Sequence, residues 1–302
     1  MKNNFDIKKS VDKDNIQWVV NQGKRKKFWF NEGNYMFKFQ KKESLESYAE
    51  IFIYKLAKLV NIPCAEYFLK SYDNNLGVVT INFILDNEKF LTGADFMIDI
   101  DQNITGLDDI NIDKMMKKNN VKDIIQLLKM YMKQNGIYNY DKLKSLKQSI
   151  YKIYVFDLLT LQTDRNPFNW GILLNFETKN IEFAPIYDNS NIANLNTPKF
   201  IKEINEGKTE FAIKKLINSF SPLLSFDKTD KALKLVENEI NNNYSQFLSM
   251  FKIIKKNYLK VLMEIKENLG DKYNENFDFI IKKVFSSYFQ TIDNLIMEVT
   301  NK

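Results

Sequence analysis

The chain contains no histidine. That one absence removes Ser-His-Asp and Cys-His catalysis, imidazole general bases and His-ligated zinc. There is a single cysteine, Cys64. No internal disulfide can form, and a cysteine-based zinc site has no ligands to draw on. Such cysteine usage fits a reducing, cytoplasmic setting. No apolar run approaches membrane-spanning length, and Met1-Lys2-Asn3-Asn4-Phe5 lacks the apolar stretch of a signal peptide. The expectation is a soluble protein with no transmembrane segment. Neither a Walker A loop nor a GxGxxG fingerprint is present, and there is no internal repeat.

What remains is carboxylates, amides, lysines, arginines, tyrosines and any hydrated metal they can hold. Phosphoryl transfer is a chemistry of these types, because it depends mainly on positioning and charge neutralisation. With 302 residues, 44% hydrophobic and 27% charged, the chain can bury a sizeable core in one large or two modest domains. The net charge of +6 comes from lysines spread along the whole length. That spread reads as a solvated surface, so no nucleic-acid partner is expected.

The order of patterns divides the chain. Phe28-Trp29-Phe30 and Tyr35-Met36-Phe37-Lys38-Phe39 flank a turn at Asn31-Glu32-Gly33-Asn34 and predict a hairpin. Trp18-Val19-Val20 reads as a short strand. A helix from about 44 to 60 follows, with Ile53, Leu56, Ala57 and Val60 as its apolar stripe and Asn61-Ile62-Pro63 as its stop. Ser47 and Glu50 have capping-box spacing, which would start that helix later. Strands are expected at 64–70 and 76–85. Beyond about residue 92, helical periodicity dominates, over 121–134, 141–162, 209–219, 229–242, 243–267 and 274–299. One strand pair, 170–174 and 181–186, interrupts it. The expected architecture is α+β with two lobes: a β-rich lobe over 1–92 and a helical lobe over 93–302 carrying a hairpin at 163–190.

That hairpin concentrates the chemistry. An apolar helix ends at Leu161-Gln162, and Thr163-Asp164-Arg165-Asn166-Pro167-Phe168-Asn169 follows. The second strand closes on Tyr187-Asp188-Asn189-Ser190. Asp-x4-Asn, a strand, a turn, a strand and a second Asp supply one carboxylate for an incoming hydroxyl. They also supply a carboxylate and an amide oxygen for Mg²⁺ on nucleotide phosphates. The competing reading makes Asp164 and Asn169 loop caps and Asp188 a turn former. Lys38, set in an aromatic strand, is the candidate cation for the phosphates, although an edge-strand lysine explains it as well. Its partner is Glu50, with Glu46 one turn earlier as rival. Gly23, Lys24 and Lys26 form a basic turn that could contact phosphates through N–H groups and charge.

These residues, in this order from about 23 to 195, resemble the HipA-like kinases, including CtkA-type bacterial serine/threonine kinases. More remotely they are similar to phosphatidylinositol-kinase-like folds. Glu50 with Lys55-Leu56-Ala57-Lys58-Leu59-Val60-Asn61-Ile62-Pro63 looks like that family's "E…LA…LGIP" helix. The strongest match is Asp164 to Asn169 with Tyr187-Asp188. The resemblance implies a bilobal protein-kinase-like fold and use of ATP and Mg²⁺. It makes Asp164 the catalytic aspartate, Asn169 and Asp188 the metal ligands, and Lys38 a phosphate contact paired with Glu50. Relatives often carry histidine two residues after the catalytic aspartate; here Asn166 stands there and is expected to substitute through hydrogen bonding. The acceptor is expected to be Ser or Thr of a protein, including the chain itself at Ser190, Thr197 or Thr209 in a flexible segment 189–210. A regulatory protein partner is also expected. The alternatives are a lipid or small-molecule acceptor, or a pseudokinase of toxin–antitoxin type that binds without turnover.

Overall fold

Alternation of aromatic and polar residues builds the first sheet. In this computed structural model, which describes residues 16–19, 26–41, 44–103, 119–195, 197–225 and 231–301, strand β2 (Lys27–Phe30) pairs antiparallel with β3 (Tyr35–Phe39). The turn between them uses left-handed backbone at Asn31, Glu32 and Gly33, which suits a tight hairpin. The register sets Phe28 opposite Phe37 and Lys27 opposite Lys38. Because side chains alternate faces, the two phenylalanines share one face and the two lysines the other. The aromatic face buries Phe28, Phe30, Phe37, Tyr72 and Val79 together. Strands β4 (Tyr67–Tyr72) and β5 (Asn75–Ile81), with β1 (Gln17–Trp18), complete an antiparallel sheet in the order β1-β2-β3-β5-β4.

Helix α1 (Glu46–Leu59) packs on the other face of this sheet. It buries Ala49, Phe52, Ile53, Leu56 and Ala57 in the main core with Tyr67, Leu69 and Val78. The helix begins at Glu46, and Leu45 caps it without a side-chain bond. The expected capping box is therefore not formed. Ser47 and Glu50 lie inside the helix and are drawn into the interior. Asn61, with φ 53°, ends it.

Strand β6 (Glu88–Thr92) joins a different sheet. It pairs with β8 (Gly171–Asn175), which pairs with β9 (Asn180–Phe183). Strand β6 was not expected; it lies within the 1–92 stretch grouped with the first lobe, yet it is hydrogen-bonded to the hairpin of the second. Close approach makes this pairing possible: a Cβ at Gly171 would sit 2.4 Å from the Leu91 carbonyl oxygen.

The rest is helical. Helix α2 (Gly93–Asn103) precedes β7 (Asn119–Asn120), α3 (Val121–Gln134) and α4 (Tyr140–Leu159). Then come α5 (Pro198–Asn205), α6 (Thr209–Ser219), β10 (Leu224–Ser225), α7 (Ala232–Asn242), α8 (Tyr244–Leu269) and α9 (Glu275–Thr300). Strands β7 and β10 form a short parallel pair. Asn120 and Asn139 cap α3 and α4, each accepting two backbone N–H bonds, as helix starts favour. Helix α2 was not expected. Helix α5 lies inside the stretch expected as a flexible loop, started by Pro198 in its first turn and anchored by buried Phe200 and Ile204. The architecture is α+β, with a small antiparallel-sheet region followed by a larger helical region.

Candidate active site

The cleft between the first sheet and the β8–β9 hairpin holds a cluster of three charges. Lys38, from the centre of the sheet, donates to Glu50 Oε1 at 3.2 Å and to Asp188 Oδ1. The carboxylates come from α1 and from just beyond β9, 12 and 150 positions away in sequence. Of the two glutamates considered on α1, the one that meets Lys38 is Glu50. It turns inward because its neighbours Ala49, Ile53 and Ala57 form the buried stripe. Its other oxygen accepts the Asn189 N–H at 2.8 Å. Burial, with the like charge of Asp188, lifts the Glu50 carboxyl from 4.5 to about 7, against the pull of Lys38. Burial also works against the Lys38 ammonium, but the two carboxylates outweigh it and its pKa is raised. Burial thus sets the direction for Glu50, and the two neighbouring carboxylates set it for Lys38. The Lys38 side chain and the Glu50 side chain are 13% and 1% exposed, whereas Asp188 is 45% exposed and opens to the cleft.

Asp188 has φ 51°, a left-handed conformation that costs free energy in a non-glycine residue. Its N–H donates to the buried Tyr67 hydroxyl at 3.1 Å, which helps fix this bend. The preceding Tyr187 donates its hydroxyl to the Phe168 and Trp170 carbonyls, stacks with Phe83 and meets Phe90 edge-on. The end of β9 is thereby tied to the start of β8.

The loop after α4 forms the second part of the site. Leu161 reverses the chain at φ 55°. The Asp164 carboxylate accepts from Asn166 Nδ2 at 2.7 Å and from Asn191 Nδ2 at 2.8 Å. Asn166 thus hydrogen-bonds the aspartate, and its own Oδ1 caps the Phe168 N–H. Asn169 donates its Nδ2 to the Asp164 carbonyl at 2.7 Å, which anchors its side-chain amide. Thr163 bonds the Asn191 carbonyl through both its N–H and its hydroxyl.

Arg165 joins the two parts. It is 1% exposed and forms a bidentate pair with Asp157 of α4, at 3.0 Å on both arms. It also donates to the carbonyls of Asn169 and Tyr187, and to Asn189 Oδ1. One nitrogen, Nη1, serves both carbonyls at 2.9 and 3.0 Å. The backbones of Asn169 and of the residue before Asp188 are therefore held within about 6 Å of each other.

Lys38, Glu50 and Asp188 are in contact, and Asp164, Asn166 and Asn169 share one loop braced to them. Lys26 is elsewhere. Its ammonium lies over the rings of Trp18 and Phe39, at 4.6 and 5.3 Å, on the aromatic side of the sheet. The cause is alternation: neighbours along an extended chain face opposite ways. Lys27 takes the cleft side instead, close enough to Asp188 and Lys38 to feel both charges, and burial lowers its pKa. Gly23 and Lys24 lie outside the described residues. Ser190 is buried, Thr209 is half-buried and Thr197 is exposed, so the conformation offers Thr197 and withholds Ser190.

Four contributing residues escaped the sequence reading. Lys27 could have been found from the hairpin register with Lys38. Asp157, a lone acid among the apolar residues ending α4, was a signal that an arginine would be buried against it. Nothing local marks Tyr67 or Asn191.

No family model and no curated protein sequence matches the chain. Solved structures do. The Helicobacter pylori proinflammatory kinase CtkA aligns with a TM-score of 0.65 and 16% identity, over 93% of this chain and 94% of that one. HipA of Shewanella oneidensis, in a toxin–antitoxin complex with HipB and operator DNA, aligns with a TM-score of 0.57 and 12% identity. That match covers 93% of this chain and 67% of HipA. The chain has the bilobal protein-kinase-like fold of these proteins. Among the described residues, no helix is long and apolar enough to cross a membrane.

Proposed function

We propose that the protein is an ATP- and Mg²⁺-dependent phosphotransferase acting on a Ser or Thr hydroxyl of a protein. The observation that carries the proposal is the Lys38–Glu50–Asp188 cluster, assembled from three distant segments in the cleft. A fold shared with CtkA supports it, and so does the resemblance of the Asp164–Asn169 segment to CtkA-type serine/threonine kinases. The partner of HipA in its complex, HipB, is the precedent for proposing a regulatory protein partner here.

The donor set fits Mg²⁺. Among the described residues no three His, Cys, Asp or Glu side chains form a ready-made cage, and Mg²⁺ requires none. It takes one or two protein oxygens and fills its octahedron with phosphate and water. Asp188 offers an exposed carboxylate, and Asn169 offers the oxygen of an amide anchored by its Nδ2 bond. When bound, Mg²⁺ supplies charge neutralisation on the phosphate oxygens.

Lys38 is the phosphate contact, and Glu50 holds its ammonium in place when Asp188 turns to the metal. Lys27, on the same face, adds a second cation. Asp164 accepts the proton of the incoming hydroxyl, its carboxylate aimed by Asn166 and Asn191. Arg165 keeps the loop and the Asp188 backbone in register.

The test is incubation with labelled ATP and Mg²⁺, followed by mass-spectrometric mapping of phosphosites. The parent should transfer phosphate to itself or to added protein, and Asp164→Asn and Asp188→Ala should not. Transfer that persists in both variants, or nucleotide affinity unaltered by Asp188→Ala, overturns the assignment. Phosphate found only on lipid or small-molecule acceptors moves the acceptor and leaves the site.

A further inference from the structure

Away from the cleft, α3 and α4 enclose a groove of about 500 Å³. Its rim carries Lys122, Lys129, Lys133 and Lys147, and no carboxylate lines it. Lys129 and Lys133 follow Lys122 by seven and eleven residues, which puts the three lysines of α3 within about 40° of one another around the helix and spreads them over about 16 Å. Between them the groove is lined by Ile125, Met130 and Leu143, with Tyr138 and Tyr140 at one end.

This apolar lining is partly core, since Leu143 is buried in it and Ile125 packs against it, whereas Met130, Tyr138 and Tyr140 are additional to it. The core takes Val121, Ile124, Leu127, Leu128 and Met132, all fully buried. Ile125 and Met130 are only half-buried, and Tyr138 and Tyr140 are 40% and 69% exposed. A merely solvated lysine face has no need of such a lining. Lys129, Lys133 and Lys147, with no carboxylate among the lining residues, also favour an occupant of opposite sign. One face of Tyr138 is taken by Lys133, whose ammonium lies 5.7 Å from the ring.

We propose that the α3–α4 groove docks an acidic segment of a partner protein, one that places a bulky apolar side chain on the floor and carboxylates against the lysine rim. The groove is separate from the reaction centre. Residues 147 to 159 of α4 rise about 18 Å before the catalytic loop begins. A bound segment therefore anchors a partner without entering the cleft, and the proposal stands whether or not the chain transfers phosphate.

The test uses fluorescence anisotropy on the full chain with four labelled probes. They are a twelve-residue peptide of Glu and Asp around a central Phe-Leu pair, the same peptide with Lys for every acid, an all-Glu peptide, and a twelve-nucleotide oligothymidine. The acidic–apolar peptide should bind, weaken at least tenfold in the Lys129→Glu/Lys133→Glu variant, and weaken as salt rises from 50 to 300 mM. Met130→Ser should weaken it several-fold while circular dichroism stays unchanged. Equal binding of the basic or all-Glu peptide overturns the proposal, as does indifference to the charge reversals. Binding of oligothymidine that the same reversals abolish makes the groove a nucleic-acid site and equally overturns it.

Discussion

Replacing Arg165 by methionine removes the one side chain that touches Asp157, Asn169, Tyr187 and Asn189 together. Methionine fills much of the volume but carries no charge and none of the five donated bonds. Asp157 would then be a buried carboxylate facing no cation, since both partners of the present pair are 1% exposed. Breaking such a pair from one side costs about 3–5 kcal/mol. At about 2–4 °C per kcal/mol, the melting temperature should fall by about 6–20 °C, nearer the lower figure for a chain of this size. The double variant Asp157→Leu/Arg165→Met removes both buried charges and should recover part of that loss. It should not recover phosphoryl transfer, because the Asn169 and Tyr187 carbonyls no longer share a donor and the two halves of the site lose their common brace. Scanning calorimetry reads the first effect and labelled-ATP transfer the second. A melting temperature for Arg165→Met within about 2 °C of the parent, or parent-level transfer by the double variant, would refute the reasoning.

Three further outcomes are expected. Glu50→Gln should flatten the dependence of stability on pH: a carboxyl raised from 4.5 to about 7 in the folded state contributes stability that is complete below pH 4.5 and lost as pH rises through 7, with an upper bound of about 3 kcal/mol. Thermal melts from pH 5 to 8 check it, and equal slopes for parent and variant count against it. Lys27→Met should raise the dissociation constant for Mg²⁺-ATP several-fold with little change in melting temperature, measured by calorimetric titration, and unchanged affinity would remove Lys27 from the site. Gly77→Ala should destabilise the sheet by about 1–3 kcal/mol and weaken nucleotide binding, because the added Cβ would lie 2.3 Å from the Lys38 carbonyl oxygen; denaturant melts that match the parent would show that β3 and β5 part without cost.

Much of the local structure was legible because period and punctuation are local properties. Helices α3 and α6 begin and end where the apolar repeat does, at Val121–Gln134 and Thr209–Ser219. The aromatic hairpin turns at the Asn-Glu-Gly segment whose residues tolerate left-handed backbone. Helix α5 was missed because eight residues are too few to show a repeat above the loop around them, and its stability comes from burying Phe200 and Ile204. Lys26 lies on the aromatic face of the sheet and Lys27 on the face of Lys38, because in a strand one position is the difference between two faces.

By itself the sequence excluded imidazole-dependent catalysis, including the Ser-His and Cys-His kinds, set the order of sheet and helices, and placed Asp164, Asn169 and Asp188 around one hairpin. Tertiary structure alone decided that Lys38 meets Glu50 and Asp188, that Lys27 faces the cleft, that β6 pairs with β8, and that Arg165 spans both halves of the site. The physical reason is that a repeat fixes which face of an element is apolar, whereas the faces that meet are chosen by packing free energy summed over elements far apart in the chain.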